Sequence, residues 1–335
     1  MVEKIQHAID QFGLDLKGIN VLTEAATGNY TATPVIAAKA GARVVAYTQH
    51  SAYGTVDQVK KQTQALERLL NLKNKIQIVD SLESIDLETI HILTNTGFLR
   101  PVHRHVIDRL SSRCVIPLMM EPWEFREEDI DLMACQQKGI KVYGTNENDP
   151  RLKTFDYVGY IALYWLLHHQ CSPFSANVLI LGSKKFTDPI QKLLLQNHYA
   201  CRVVNHYRKL SNPSAYNVII TAEHTNPVCL IGDDSSCFIQ KSLLRDQAFI
   251  LHLSGNVDFT GLPCRFFPPK PAPFGHMSFT TDMIDPKALI DLHTAGLKVG
   301  TGMLHANAMK LDNKAYKNFM EKNYPALAFD DPAFW

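Results

Sequence analysis

Three stretches of this 335-residue chain carry side chains whose types and spacing suit chemistry. The first is Leu181-Gly182-Ser183-Lys184-Lys185-Phe186-Thr187-Asp188, an apolar run that turns into a helix. A dinucleotide fold places G-x-G-x-x-G at such a turn, so that the backbone approaches a pyrophosphate and a helix N-terminus faces its charge. Gly182 keeps the first position, while Lys184 and Thr187 hold the second and third. Ser183, Lys184 and Lys185 still suit a phosphate. Asn205 ends the next strand, where an acidic residue would hold the ribose hydroxyls of NAD. His206, Arg208 and Lys209 lean towards a 2′-phosphate, so the cofactor expected is NAD or NADP. The plainer reading of the turn is a strand-to-helix connection that holds no cofactor.

The second stretch, residues 120–129, sets Trp123 and Phe125 among five carboxylates and one arginine. Trp123 can wall an apolar site, Arg126 can pair bidentately with a substrate carboxylate, and Glu121 can serve in proton transfer. An acidic helix start alone would explain Glu127, Glu128 and Asp129, since carboxylates suit a helix N-terminus. The third stretch is Phe274-Gly275-His276-Met277-Ser278-Phe279-Thr280-Thr281-Asp282. Of the 14 histidines, His276 sits in the context that best suits a general acid or base.

These stretches need strand ends to position them, and the sequence supplies them. Apolar runs at 18–22, 43–47, 76–79, 91–94, 115–118 and 140–143 alternate with helical patterns at 34–40, 55–70 and 128–138. Turn formers at 144–150 and a long apolar helix at 154–168 precede a second series. Its strands read at 177–181, 202–204, 217–220 and 249–253, with a helix near 189–197, a Pro-rich crossing at 263–273 and a helical tail at 286–308. Strands alternating with helices predict an α/β chain of parallel sheets covered on both faces. The expectation is two doubly wound, Rossmann-like domains with a cleft between them, joined by long helices. Ligands of such sheets lie beyond the carboxyl ends of the strands.

Composition narrows the class. A net charge of +1 gives no field for a polyanion, so nucleic acid is not an expected partner. The first residues lack the apolar core of a signal peptide, and the most apolar helical run, 157–167, falls short of the ~20 residues that span a bilayer. Seven cysteines without C-x-x-C spacing suggest reduced thiols in a cytoplasmic protein and argue against a zinc site.

The order of these pieces resembles the D-2-hydroxyacid dehydrogenase (formate/glycerate dehydrogenase-like) superfamily. Ile130-Asp131-Leu132-Met133-Ala134-Cys135-Gln136-Gln137-Lys138-Gly139-Ile140-Lys141-Val142 looks like that family's segment before its long interdomain helix. His276-Met277-Ser278-Phe279-Thr280-Thr281 is similar to the H-x-G-x-x-T around its catalytic histidine, and Leu253-Ser254-Gly255-Asn256-Val257-Asp258 to its arginine-bearing turn. The segment Asp291-Leu292-His293-Thr294-Ala295-Gly296 faintly resembles the NAD domain of adenosylhomocysteine hydrolases.

The resemblance implies a flavodoxin-like substrate domain at 1–150, with 290–335 returning to it, around an inserted NAD(P) domain at 151–289. It implies His276 as the proton-exchanging group, Ser254 and Gly255 on the cofactor side, and a homodimer. Asn95, Thr96 and Gly97 match its substrate-binding loop, with Trp123 beside them. The family's arginine falls at Ser254 or Gly255 and its glutamate partner is missing; Arg126 and Glu121 or Asp282 are the substitutes. The expected activity is NAD(P)-dependent oxidation or reduction of a small carboxylate-bearing molecule. The alternative is a non-redox descendant that binds a ligand or partner.

Overall fold

The computed structural model describes all residues except 73, 208, 209, 211 and 335, and the backbone alone of 333. The chain divides into two compact units, Met1–Leu152 with Pro286–Trp335, and Lys153–Asp285.

In unit 1, α1 (Val2–Phe12) leads into β1 (Asn20–Glu24), α2 (Ala32–Lys39), β2 (Arg43–Tyr47), α3 (Val56–Leu69) and β3 (Ile76–Val79). Then come β4 (Ile92–Leu93), the short α4 (Arg104–Ile107), β5 (Val115–Pro117), α5 (Leu132–Lys138) and β6 (Lys141–Thr145). Local signals set these bounds. Thr55 and Gln58 form a reciprocal capping box at the start of α3. Asp131 caps α5 by accepting the Ala134 N–H, and Gly139 ends it at φ 74°, a left-handed turn that glycine adopts without strain. That helix starts at Leu132, not near 128 as expected, so Glu127, Glu128 and Asp129 lie outside its first turn.

Unit 2 runs through α6 (Thr154–His168), β7 (Asn177–Gly182), α7 (Lys184–Gln196), β8 (Ala200–Val204), β9 (Val218–Ala222), β10 (Cys229–Gly232) and β11 (Ile239–Gln240). It ends with β12 (Phe249–Ser254), β13 (Asn256–Val257) and β14 (Arg265–Phe267). The chain then returns to unit 1 as α8 (Lys287–Ala308), α9 (Asn313–Asn323) and β15 (Ala326–Leu327). Among the described residues no helix is long and apolar enough to cross a membrane.

Both main sheets are doubly wound. In unit 1 the order is β15-β6-β5-β4-β1-β2-β3, parallel except for β15 against β6. The chain steps outward from β1 to β3 and then returns to the other side of β1. Its order over the parallel strands is therefore 3-2-1-4-5-6, the Rossmann order, which corrects the flavodoxin-like expectation. In unit 2 the order is β14-β12-β9-β7-β8, all parallel, or 2-1-3-4-5 in chain order, the other common doubly wound order, beside a small sheet β11-β10-β13. The direction of winding changes between β1 and β4 in unit 1, and between β7 and β9 in unit 2.

Glycines mark where these layers touch most closely. A Cβ on Gly296 of α8 would lie 2.1 Å from Met119 Sδ, and one on Gly300 would lie 3.0 Å from Ile92. One cysteine expectation is corrected. Cys229 and Cys237 are joined by a disulfide with Cα atoms 4.6 Å apart, which closes the β10–β11 connection.

At Gly182 a Cβ would lie 2.1 Å from the Ala222 carbonyl oxygen, a backbone atom with little freedom to move. Gly182→Ala is expected to cost about 3 kcal/mol, because overpacking displaces the strand itself. Gly139→Ala, left-handed but in open space, is expected to cost only about 1 kcal/mol. Chemical denaturation of both variants checks the difference; equal losses contradict it.

Candidate functional site

The carboxyl edge of each sheet gathers the residues singled out from the sequence. In unit 2, strand register sets Gly182, Ala222 and Ser254 side by side across β7, β9 and β12. Asn205 follows the end of β8 in the neighbouring position. Arg208 and Lys209, read as leaning towards a 2′-phosphate, lie outside the described residues.

Directly after Gly182, Ser183 stands at the N-cap of α7 without capping it through its side chain. Its Oγ, the Oγ1 atoms of Thr187 and Thr221, and Ser254 Oγ are buried with no hydrogen-bond partner among the described residues. Such groups normally find partners in folded proteins, so each one asks for an explanation. The two lysines are otherwise engaged. Lys184 forms an ion pair with Asp188 one turn along the helix, and Lys185 Nζ sits 4.5 Å above the Phe155 ring. Gly255 takes φ 122°, and a Cβ there would lie 2.7 Å from Leu230.

Glu223, directly after β9, is buried and fully used. It accepts from Tyr207 Oη, and its other oxygen takes the Thr225 and Asn226 N–H groups and the Thr225 hydroxyl, each at 3.0 Å. Burial and this carboxylate push the Tyr207 phenol well above its usual range.

His276 lies on an exposed turn, its N–H bonded to Pro273 O at 3.1 Å. That turn is tethered by a histidine the sequence reading passed over. His252, fully buried in β12, has Nε2 3.0 Å from Gly255 O and Nδ1 2.7 Å from Ser278 Oγ. A carbonyl oxygen only accepts, so Nε2 carries the proton and Nδ1 accepts the serine hydroxyl. Ser278 Oγ in turn accepts the Ala272 N–H at 3.0 Å, and its own N–H donates to Leu253 O at 2.7 Å. Burial lowers the His252 pKa, so the ring is held neutral. The chain of bonds ties the His276 turn to the Gly255 turn.

In unit 1, three of the sequence readings are corrected. Glu121 is fully buried and accepts from Trp123 Nε1, from the Glu147 N–H at 3.0 Å and from Asn148 Nδ2 at 3.1 Å. A carboxylate so satisfied anchors the loop and is not placed for proton transfer. Arg126 pairs with Asp129, Nε and Nη2 each 3.4 Å from a carboxylate oxygen, and Arg100 approaches the same carboxylate at 3.8 Å. The bidentate partner expected from a substrate is therefore supplied within the loop. Asn95 is a tie between strands, its Oδ1 accepting the Met119 N–H at 2.9 Å. Thr96 Oγ1 lies 2.9 Å from Thr94, which bonds Thr23 at 2.8 Å. Of this loop, Gly97 is exposed.

The sequence reading also missed Glu24. The strand expected at 18–22 runs to Glu24, so the carboxylate belongs to the strand end and not to the loop. It is 2% exposed and accepts the Phe98 N–H at 3.2 Å. A Cβ on Gly97 would lie 1.5 Å from its Oε2, and Gly97 has φ 37°; glycine is required on both counts. Burial raises the Glu24 pKa to about 7, against the opposing pull of the Phe98 N–H and of Arg100. On α8, the buried His293 has Nδ1 2.7 Å from Thr33 Oγ1 and its ring edge-on to Tyr30, so it faces the connection that follows β1. Only the run Asp291-Leu292-His293 offered a sequence signal for it.

The fold and edges define a protein of two doubly wound α/β units. No protein-family model and no curated protein matches the chain. Among solved structures, a dipicolinate synthase from Bacillus subtilis superposes with TM-score 0.57 at 12% identity, covering 88% of this chain and 99% of that one. The dipicolinate synthase from Bacillus halodurans gives 0.54 at 9% identity, covering 84% and 96%. A D-lactate dehydrogenase from Treponema pallidum gives 0.49 at 10%, covering 86% and 97%. The likeness to the two dipicolinate synthases is one of fold.

The unfolded Glu24 carboxyl ionises near 4.5 and the folded one near 7, so the folded state holds the extra proton between those values. Stability therefore falls as pH rises from about 4.5 to 7, by up to about 3 kcal/mol, and the fall is absent in Glu24→Gln. Equal pH slopes in the two proteins contradict this. Glu121→Ala removes the acceptor shared by the buried Glu147 N–H, the half-buried Trp123 Nε1 and the exposed Asn148 amide, and is expected to cost about 2 kcal/mol; a loss under about 1 kcal/mol contradicts the anchoring role.

Proposed function

We propose that the chain is a nicotinamide-dinucleotide-dependent oxidoreductase acting on a small carboxylate-bearing molecule. Unit 2 holds NAD or NADP, and unit 1 holds the substrate. The observation that carries this reading is the set of buried hydroxyls of Ser183, Thr187, Thr221 and Ser254 at the carboxyl edge of unit 2, unpartnered among the described residues. Each costs about 1–3 kcal/mol while it lacks a partner, and a polar ligand along that edge relieves the cost. The position is the one a doubly wound sheet offers to a dinucleotide.

When bound, the nicotinamide ring supplies a hydride donor or acceptor. Everything else falls to this chain's own side chains. Gly182 lets the end of β7 turn tightly against the Ala222 carbonyl, and the α7 N-terminus with Ser183 favours phosphate oxygens. Ser254 and Thr187 donate to ribose and phosphate oxygens. His276, on its tethered turn, exchanges the proton that accompanies hydride transfer. The exposed Gly97 loop receives the substrate carboxylate.

A second reading, a ligand-binding protein without redox chemistry, is favoured by one feature. The second and third fingerprint glycines are Lys184 and Thr187, and the latter fills its site with a fully buried side chain.

Titration with NADH and NADPH, read by nicotinamide fluorescence and by thermal midpoint, separates the two. Saturable binding with a gain in midpoint is expected, because a ligand selective for the folded state stabilises it. Ser254→Ala and Thr187→Val are each expected to weaken binding about tenfold, the equivalent of one lost hydrogen bond. Without ligand, the same changes leave the midpoint unchanged or higher, since an unpaired buried hydroxyl has been removed. Failure of both dinucleotides to bind overturns the oxidoreductase reading and favours the second.

A further inference from the structure

Glu24 takes no part in the scheme above, yet the fold goes to some length to hold it in place. It is the last residue of β1, at the change of winding between β1 and β4, where ligands of doubly wound sheets bind. Gly97, exposed on its outer side, has no room for a side chain because the Glu24 carboxyl occupies that space. The Phe98 N–H serves Oε2. The nearby hydroxyls of Thr23, Thr94 and Thr96 bond one another.

We propose that Glu24 is the acid that receives a small carboxylate ligand at the β1–β4 edge of unit 1, with one proton shared between the two carboxyl groups. This rests on the reading of unit 1 as the substrate-bearing unit. Two carboxylates in contact do not both stay charged, and one of them takes up a proton. The neutral Glu24 then donates its O–H to an oxygen of the ligand. No covalent bond changes; one proton is taken from solvent for each ligand bound to an ionised Glu24.

The surroundings suit that exchange. Arg100 is the charged group acting on Glu24, and it is itself drawn towards Asp129 at 3.8 Å. The partner in register on β2 is Tyr47, and from the β4 side Gly97 and Phe98 bring backbone only. The connection after β1 brings Tyr30 and Thr33, backed by His293 of α8. Burial already brings the free acid to about 7, so little further shift is needed to hold the proton when an anion arrives. A purely structural Glu24, capping the turn at Gly97–Leu99, would need only an acceptor oxygen, and glutamine supplies one.

Oxalate and D-lactate binding to the full chain, measured by titration calorimetry at pH 6, 7 and 8, tests the proposal. If only the protonated form binds, a group ionising near 7 makes the affinity fall about tenfold between pH 6 and pH 8. At pH 7, buffers of different ionisation enthalpy should then reveal uptake of about half a proton per ligand bound. Glu24→Gln is expected to bind with an affinity that is flat over this range and with no uptake. The wild-type proton uptake stands as a test by itself if the variant does not fold. Binding with the same pH dependence in both proteins, or without uptake in the wild type, overturns the role of Glu24 and leaves the substrate reading of unit 1 intact. Absence of binding by either probe to either protein overturns both.

Discussion

A parallel sheet brings the ends of all its strands, and the loops that follow them, to one edge, and any polar group buried there must find a partner. That requirement organises both units of this protein, and they meet it differently. Along the carboxyl edge of unit 1, Asn95 holds the Met119 N–H, Thr94 bonds both Thr23 and Thr96, and Glu121 gathers three donors, while the Thr48 hydroxyl after β2 alone of this set has no partner among the described residues. Along the same edge of unit 2, Glu223 is likewise saturated, but the four hydroxyls of Ser183, Thr187, Thr221 and Ser254 find no partner among the described residues. Satisfied groups fix the shape of a site. Unsatisfied ones are where a ligand gains most, because the cost of their burial is already present in the free protein.

Two histidines show how the same sheet divides labour. His252 is buried, neutral and bonded at both nitrogens, so it fixes the relation between the Gly255 and Ser278 turns. His276, carried by the second of those turns, is exposed. In unit 1 the comparable group is Glu24, whose burial brings a carboxyl into the pH range where histidine normally titrates. A glycine with no space for a methyl group is what permits it.

The elements were legible wherever local pattern alone decides. The strands at 43–47 and 76–79 and the helix at 154–168 lie where the apolar runs put them. The helix expected near 189–197 begins at Lys184, with Pro189 inside it. The site was legible in its positions: Gly182, Ser183, Ser254, Gly255 and Gly97 all stand at strand ends. Its chemistry was less so, since partners lie far apart in the chain. Glu24 meets a loop 74 residues away, and the acceptor of Arg126 was hidden in what looked like a helix start. Cys229 and Cys237 pair across a spacing of eight that no motif marks. Local composition does not report which carboxylate is buried or which hydroxyl is left over.

The proposed dinucleotide site lies along the unpaired hydroxyls at the carboxyl edge of unit 2. Hydrogen exchange of the full chain with and without saturating NADH, resolved by peptide, tests it most directly. Slowed exchange concentrated in residues 182–188, 221–224 and 253–256 is the result expected. Unchanged exchange in those three segments, or protection confined to others, would contradict it.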